Sequence, residues 1–303
     1  MNTEFINFWP GFEDEPNIFS DYLSKNQHVS EKLEKAGVSK VVFESVFPAK
    51  ERKSRFSRGL AKFVNQSAVE RSSKDPGCLT IWYSGENIRP PLNSKFEAYL
   101  SFDLDSFGGR NTYFPLIFLS LNPYQLNTQR RLGKEYDLET LLKNRELSSQ
   151  KIPRSVCIIA GKHPIRKAVV EEFQKYFRVD VFGGMSNTPV SEKYSVARNY
   201  QYMFCLENDL YPGYVTEKLV EAYVCETVPL YWGATDGNGY LNSRSFLNLR
   251  DFKDIATWAK RVSLISETQY LEIYKQPLLQ SEPPIQLQLT KLFETFLHTK
   301  KLA

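Results

Sequence analysis

The stretch from Tyr202 to Gly233, YMFCLENDLYPGYVTEKLVEAYVCETVPLYWG, constrains the fold more than any other part of the chain. An apolar run, Tyr202 to Leu206, reads as a buried strand, and a polar, turn-rich loop follows from Glu207 to Val215. Thr216 is placed to N-cap a short helix, Glu217 to Cys225, and Thr227 to Trp232 reads as a second buried strand. Strand, loop, helix and strand within about thirty residues is the sequence form of a βαβ unit. Ligands of such units lie outside the carboxyl ends of the strands, so the loop is the expected site. Lys218 is the oddity, because a cation in the first turn of a helix opposes the helix dipole. A solvated lysine paired with Glu221 or Asp209 explains it as well as a bound anion does.

A second unit of the same kind precedes it. Ser155 to Ala160 is a strongly apolar strand, followed by Gly161-Lys162-His163-Pro164 and a helix carrying Ile165, Val169, Phe173 and Phe177 on one face. Arg178 to Phe182 is the next strand, closed by Gly183-Gly184, and Ser191 to Tyr200 reads as a short helix leading into the Tyr202 unit. Arg166 and Lys167 again place cations in a first turn. Two such units of one parallel sheet put their strand-to-helix loops on one edge. Arg166 and Lys218 can then converge on one diphosphate, the arginine as a planar fork. That coincidence favours a phosphate site. Neither GxxxxGK[ST] nor GxGxxG occurs in this half, so a P-loop or dinucleotide motif has no direct support. His163 reads as structural or solvated.

At 303 residues the chain is long enough for two domains. A formal net charge of +4 is too small to imply nucleic acid, yet suits an anionic substrate or membrane surface. Cys78, Cys157, Cys205 and Cys225 are far apart, with no CxxC pair for zinc and no disulfide framework. No apolar run reaches membrane-spanning length, and MNTEFINFWPGFEDE is unlike a signal peptide. The expectation is a soluble, cytoplasmic protein, with peripheral contact at the inner membrane as the minor reading.

The first half reads as strands at Phe5 to Trp9, Val41 to Phe47, Cys78 to Tyr83 and Phe96 to Phe102, with a helix over residues 17–25. Lys50, Arg52, Lys53, Arg55 and Arg58 form a basic segment, read first as a solvated loop and second as an anionic-acceptor or membrane contact. Ser84-Gly85-Glu86-Asn87 puts a carboxylate just past a buried strand. Partial desolvation there raises a carboxyl toward the useful range of a general base, although a surface turn explains the tetrapeptide alone as well. Asp103-Leu104-Asp105 is a weak metal-binding pattern. Tyr113 to Leu121 is read as a core helix despite Pro115. Residues 125–153 are read as a mobile loop and linker, with a short helix around Leu138 to Leu142. Leu287 through Leu297 forms an amphipathic helix, packed on the body rather than on a membrane.

With these residues in hand, the chain resembles the α1,3-fucosyltransferases, the bacterial more than the Golgi members. The match runs through Phe204-Cys205-Leu206-Glu207-Asn208, then Gly213-Tyr214-Val215-Thr216-Glu217-Lys218-Leu219, then Val228-Pro229-Leu230-Tyr231-Trp232-Gly233. Further agreement comes from Gly85-Glu86-Asn87 with Pro90, from Ser101-Phe102-Asp103, and from Arg166 followed by Val179-Asp180-Val181-Phe182-Gly183. The resemblance implies an α/β fold of GT-B type, two facing Rossmann-like domains with an interdomain active-site cleft. Residues 1–150 would be the acceptor-binding domain, and 151–303 the GDP-fucose-binding domain with its C-terminal helix. It implies an inverting enzyme that transfers L-fucose from GDP-β-L-fucose, in α1,3 linkage, to N-acetylglucosamine or glucose of a galactose-containing glycan. On matching positions, Glu86 is the general base, Arg166 and Lys218 bind the diphosphate, and Tyr214 and Glu217 lie around ribose and fucose. Asn208 belongs to the same donor motif. No cofactor is required, GDP-fucose being the donor substrate. Asp103-Leu104-Asp105 is then scaffold, and a divalent metal is at most stimulatory. A GT-B transferase with another nucleotide sugar or acceptor, or an inactive sugar-binding paralogue, is the alternative. The sequence departs from the family at Tyr200-Gln201-Tyr202, where Tyr-Lys-Phe is usual.

Overall fold

A computed structural model describes residues 1–9, 12, 17–46, 77–91, 96–127, 131–148 and 150–302 of the chain. It divides into two α/β units, one of Met1–Leu119 with Pro284–Ala303 and one of Ser120–Pro283. The basic segment at Lys50 to Arg58 lies outside the described residues.

In the first unit, β1 (Asn2–Ile6), β2 (Lys40–Glu44), β3 (Cys78–Ser84), β4 (Ala98–Ser101) and β5 (Asn111–Tyr113) pair in parallel in that order. β2 and β3 are buried along almost their whole lengths, as parallel strands covered on both faces must be. Between β1 and β2 run α1 (Ile18–Lys25) and α2 (Gln27–Lys35). The Asn17 side chain starts α1 by accepting from Ser20 N, and the helix buries Ile18, Phe19, Tyr22 and Leu23. Phe19 stacks on Phe43 at 4.5 Å, and Phe43 on Phe5 at 5.6 Å, so β1, β2 and α1 are joined through aromatic rings.

The second unit contains α3 (Leu138–Leu142), β6 (Ile152–Ile159), α4 (Pro164–Phe173), β7 (Arg178–Phe182), α5 (Lys193–Ala197), β8 (Tyr200–Leu206), α6 (Lys218–Val224), β9 (Val228–Trp232), β10 (Leu247–Asn248), α7 (Ile255–Ser263) and α8 (Glu267–Lys275). Its parallel sheet has the order β10-β9-β8-β6-β7. Counted within the unit that is 5-4-3-1-2, a doubly wound sheet whose strand order reverses between β6 and β8. Phe173 of α4 meets Trp258 of α7 edge-on at 5.0 Å and Phe204 of β8 at 4.8 Å, so both helices cover one core. At the amino end of β8 the ladder with β6 shifts register between Ile152 and Val156. Arg154 there has φ 50°, and its amide donates to Gln201 Oε1 at 2.7 Å.

Chain returns to the first unit in α9 (Ile285–Leu302), which packs against α2, β4 and β5. Ile285, Leu289, Leu292 and Phe293 form its buried stripe, Phe293 stacks on Tyr22 at 5.9 Å, and Leu287 faces outward. Among the described residues no helix is long and apolar enough to cross a membrane.

Three readings of the sequence change. Tyr113 to Leu121 is not a helix: β5 ends at Tyr113 and a single 3-10 turn, Leu116–Ser120, follows Pro115. Proline removes a backbone donor and fixes φ, which suits a turn start better than a helix interior. Residues 131–148 are part of the second unit's body rather than a free linker. Arg145 lies between the Tyr223 and Tyr274 rings, 4.1 and 4.0 Å from their centroids. It donates to the carbonyls of Tyr274, Tyr223 and Thr227 at 2.6–2.7 Å. Where the sequence puts a border near residue 150, packing puts it at Ser120 and gives α9 to the first unit.

Candidate active site

The reversal between β6 and β8 is where ligands of such sheets bind, and three consecutive residues at the end of β8 organise it. Leu206 ends the strand, Glu207 is fully buried and Asn208 is exposed. Glu207 N continues the ladder to Trp232 O at 2.9 Å, which turns its side chain into the sheet edge. Room for it comes from Gly233. A Cβ there would fall on the Tyr231 hydroxyl and within 2.8 Å of Glu207 Cγ.

Arg166 reaches this edge from α4. His163 is the N-cap and makes no side-chain cap bond, Pro164 opens the helix, and Arg166 is buried in its first turn. Its guanidinium donates to Gly161 O at 3.0 Å, to Leu206 O at 3.2 Å and to Asn208 Oδ1 at 2.7 Å. Strand-end carbonyls thus answer the unfavourable dipole position. Nε of Arg166 is buried without a hydrogen-bond partner. Burial lowers the guanidinium pKa, while Glu207, Tyr214 and Glu217 oppose that shift.

Lys218 is the first residue of α6. Neither Glu221 nor Asp209 is its ion-pair partner: its Nζ lies 2.7 Å from Glu207 Oε2 and 2.7 Å from Thr216 Oγ1. Burial pulls the ammonium pKa down, but Glu207 and then Glu217 outweigh it and hold the pKa well above the usual lysine range. Thr216 is not the N-cap. Its amide and hydroxyl both go to Glu207, and Glu217 takes the cap position without a side-chain cap bond. A buried carboxylate offers a stronger acceptor than the helix end offers a donor, so the threonine turns inward.

Glu217 lies on the same edge, opposed by burial but stabilised as a carboxylate by Lys218 and Lys193, and its pKa is lowered. Lys193, at the start of α5, forms a salt bridge with Glu221 of α6. Tyr214 is only 1% exposed. A cavity of about 680 Å³ is walled by Ile159 to Gly161 after β6, by Gly183 and Gly184 after β7, and by Arg131 and Lys193; Arg166, Asn208, Tyr214, Glu217 and Lys218 do not line it. Its size is ordinary for a small-molecule site. Gly161 joins the two features, lining the cavity and accepting from Arg166.

Arg166, Asn208, Tyr214, Glu217 and Lys218 are therefore gathered on the carboxyl edge of one sheet, whereas Glu86 belongs to the first unit. Glu86 is half-buried in the turn after β3, where Ser84 Oγ and Ile88 N both donate to its carbonyl at 2.8 and 2.6 Å. Gly85 is required in this turn: a Cβ would lie 2.6 Å from Leu116 Cδ1 and 2.7 Å from the Tyr83 hydroxyl. Asp103 and Asp105 cap backbone amides of their own loop, Asp105 N at 3.0 Å and Phe107 N at 2.8 Å. Asn111 Nδ2 pins the same loop through the Asp103 and Asp105 carbonyls. No group of three or more His, Cys, Asp or Glu suited to a metal occurs among the described residues.

Sequence reasoning left Glu207, Lys193 and Arg131 without a role and gave Thr216 only that of a helix cap. For Glu207 the signal was present, a carboxylate directly after a buried strand, the same feature that singles out Glu86. Arg131 and Lys193 stand in segments without apolar periodicity, and only the fold brings them to a cavity.

Residues 150–276 match the family model of glycosyltransferase family 10 (fucosyltransferase), C-terminal part. The chain is 27% identical over 232 residues to an α-(1,3)-fucosyltransferase, FucT, of Helicobacter pylori, covering 65% of this chain and 47% of that protein. It is 27% identical over 203 residues to the 3-galactosyl-N-acetylglucosaminide 4-α-L-fucosyltransferase FUT3 of Bos taurus, covering 64% and 52%. The chain thus spans about half the length of these relatives. In structure it is similar to a crystal structure of an α1,3-fucosyltransferase, with a TM-score of 0.67 at 20% identity over 98% of this chain and 90% of that one. That likeness gives the fold, which is of GT-B type.

Proposed function

We propose, from the match of residues 150–276 to the model of glycosyltransferase family 10 (fucosyltransferase), that the chain is a fucosyltransferase of that family and transfers L-fucose from GDP-β-L-fucose to a sugar hydroxyl. The supporting observation is the pair of cations, Arg166 and Lys218, anchored on the consecutive residues Leu206, Glu207 and Asn208 where the strand order reverses. Both have donors to spare. Lys218 uses two of its three N–H bonds within the protein, and Arg166 three of its five. A diphosphate placed there meets preorganised positive charge as the bond to the sugar breaks.

In this reading the acceptor hydroxyl attacks the anomeric carbon from the face opposite GDP. Its proton passes to the Glu86 carboxylate, the new C–O bond forms, and the old bond's electron pair leaves with the β-phosphate. One displacement inverts β to α. Glu86 must come within about 2.6–3.2 Å of the hydroxyl in the reacting complex. Arg166 and Lys218 bind the diphosphate, Tyr214 and Glu217 flank ribose and fucose, and Asn208 orients Arg166 by accepting from it. The acceptor is a galactose–N-acetylglucosamine type glycan fucosylated in α1,3 linkage. No metal is needed, since two side-chain cations already face the leaving group.

An assay of GDP-fucose against GDP-mannose and UDP-sugars, with β-galactosyl-N-acetylglucosamine acceptors, tests the reading. GDP-fucose alone should support transfer, with full activity in EDTA, and linkage analysis should show an α1,3 bond. Glu86→Ala should chiefly lower turnover, and Lys218→Ala should chiefly weaken donor binding. No transfer from GDP-fucose to any such acceptor would remove the proposal.

A further inference from the structure

Within the donor-site reading, Lys218 is not a free-standing cation. Its partner Glu207 has no solvent exposure, whereas the Lys218 side chain keeps 20%. The carboxylate is held on every side. Thr216 N donates to Oε1 at 2.9 Å, the Thr216 hydroxyl lies 2.8 Å from Oε2, and the Tyr231 hydroxyl lies 3.4 Å from Oε1. Lys218 closes a triangle with Oε2 and Thr216 Oγ1, each at 2.7 Å. The lysine donates to both oxygens and the threonine proton goes to the carboxylate. Two ammonium protons therefore point inward and one remains, fixed in direction. A mobile four-carbon side chain has become a rigid donor with one exposed face.

We propose that Glu207 is the positioning residue of the donor site: it aims the Lys218 ammonium at the diphosphate and keeps it charged in a desolvated place. Glu207 touches no substrate and acts through Lys218. The proposal depends on the donor-site reading, because a Lys218 that met no diphosphate would have nothing to be aimed at. It adds to that reading a residue whose loss should mimic, in part, the loss of the lysine.

Glu207→Gln preserves size and the Thr216 amide bond but removes the counter-charge and turns an NH₂ toward Lys218. The expected result is about tenfold weaker GDP binding by calorimetry, the scale of one charge-assisted hydrogen bond. GDP affinity in this variant should also begin to decline at a lower alkaline pH than in the parent, since a desolvated lysine that has lost one of its two carboxylates titrates earlier. The other titratable groups acting on Lys218 are Glu217, on its own helix, and Tyr214, on the preceding loop. The deciding measurement is a double-mutant cycle with Lys218→Met. On the Met background Glu207→Gln should change GDP affinity no further. Additive losses, or unchanged GDP binding in Glu207→Gln while Lys218→Met weakens it, would overturn the positioning role. Unchanged GDP binding in Lys218→Met would instead overturn the donor-site reading beneath it. Should Glu207→Gln fail to fold, Thr216→Val removes one arm of the triangle with the carboxylate in place, and the same cycle with Lys218→Met decides the matter.

Discussion

Each of the two sheets buries a glutamate at the carboxyl end of an interior strand, and the two carboxyls have opposite surroundings. Glu44 ends β2 and is 5% exposed; Glu207 follows β8 and is fully buried. Glu207 is met by an ammonium, a backbone amide and two hydroxyls. Among the described residues, Glu44 accepts one side-chain hydrogen bond, from the Asn7 amide at 3.2 Å. Burial, only partly offset by Asn7, pushes Glu44 up to about 7. The position in the fold is the same, and the partners among the described residues differ. After β8 the chain returns through Thr216 and Lys218 and supplies cation and donors; beside β2, among the described residues, a neutral amide from the end of β1 serves. A buried carboxylate with a counter-cation beside it holds that cation in place, whereas one met only by a neutral amide becomes a proton holder near neutral pH.

The comparison is most easily broken at Lys218. Lys218→Met strands the Glu207 charge in the interior and should cost about 3–5 kcal/mol, the usual penalty for removing one member of a buried pair. Hydrogen exchange at the amides of β8 and β9 would read this in the second unit alone. Adding Glu207→Gln should recover most of the stability without recovering GDP binding. If Lys218→Met were as stable as the parent, the pair would be an incidental surface contact.

Glu44 should give the next largest effect, with the opposite pH sense. Its folded pKa of about 7 is above the ordinary glutamate value of 4.5, so the native state holds a proton that the unfolded chain has released between those values. Stability from this group is complete below about pH 4.5 and is lost as pH rises toward 7. The difference amounts to about 3 kcal/mol. Glu44→Gln should flatten the pH dependence of the first unit's melting between pH 5 and 8 and be the more stable form at pH 8. A variant as pH-sensitive as the parent would show that Glu44 stays charged.

Glu226 provides a smaller effect with the sign reversed. Burial opposes its charge, but Ser148, Lys134 and Tyr194 outweigh burial and lower its pKa to about 2. This stabilisation is present above about pH 4.5 and disappears as pH falls toward 2. Glu226→Gln should therefore cost about 1–2 kcal/mol at neutral pH and little in acid, by urea unfolding at each pH.

How much of this was legible follows from what each signal depends on. β8, β9 and the second half of β6 are buried deeply enough to leave unbroken apolar runs, whereas β7 is a half-buried edge strand whose observed bounds, Arg178–Phe182, are those read from the sequence. The first-turn cations Arg166 and Lys218 were visible because they violate a local rule, and violations tend to mark sites. Their partners were not visible. Glu207 pairs with Lys218 across eleven positions and Arg166 with Asn208 across forty-two, distances only the strand order can close. Thr216 looked like a cap because capping is local, and the buried carboxylate that outcompetes the helix end is not. The segment from residue 131 to 148 has no apolar period, since it is held by a cation and ring faces: Arg145 between Tyr223 and Tyr274, and Lys134 on Tyr194.

The smallest predicted effect comes from the other end of the strand that leads to Glu207. Gln201 is a position at which the sequence departs from the resemblance, which raises the expectation of a lost contact. It lies instead at the amino end of β8, where its Oε1 accepts from the amide of Arg154 in the left-handed turn of the β6 irregularity. A lysine there cannot accept that hydrogen bond, so Gln201→Lys should cost about 1 kcal/mol, one ordinary hydrogen bond. GDP affinity should not move, because ligands of such sheets bind at carboxyl ends. A drop in GDP affinity without a matching loss of stability would mean that the two ends of β8 are coupled. The local account of Glu207 and Lys218 would then have to include Gln201.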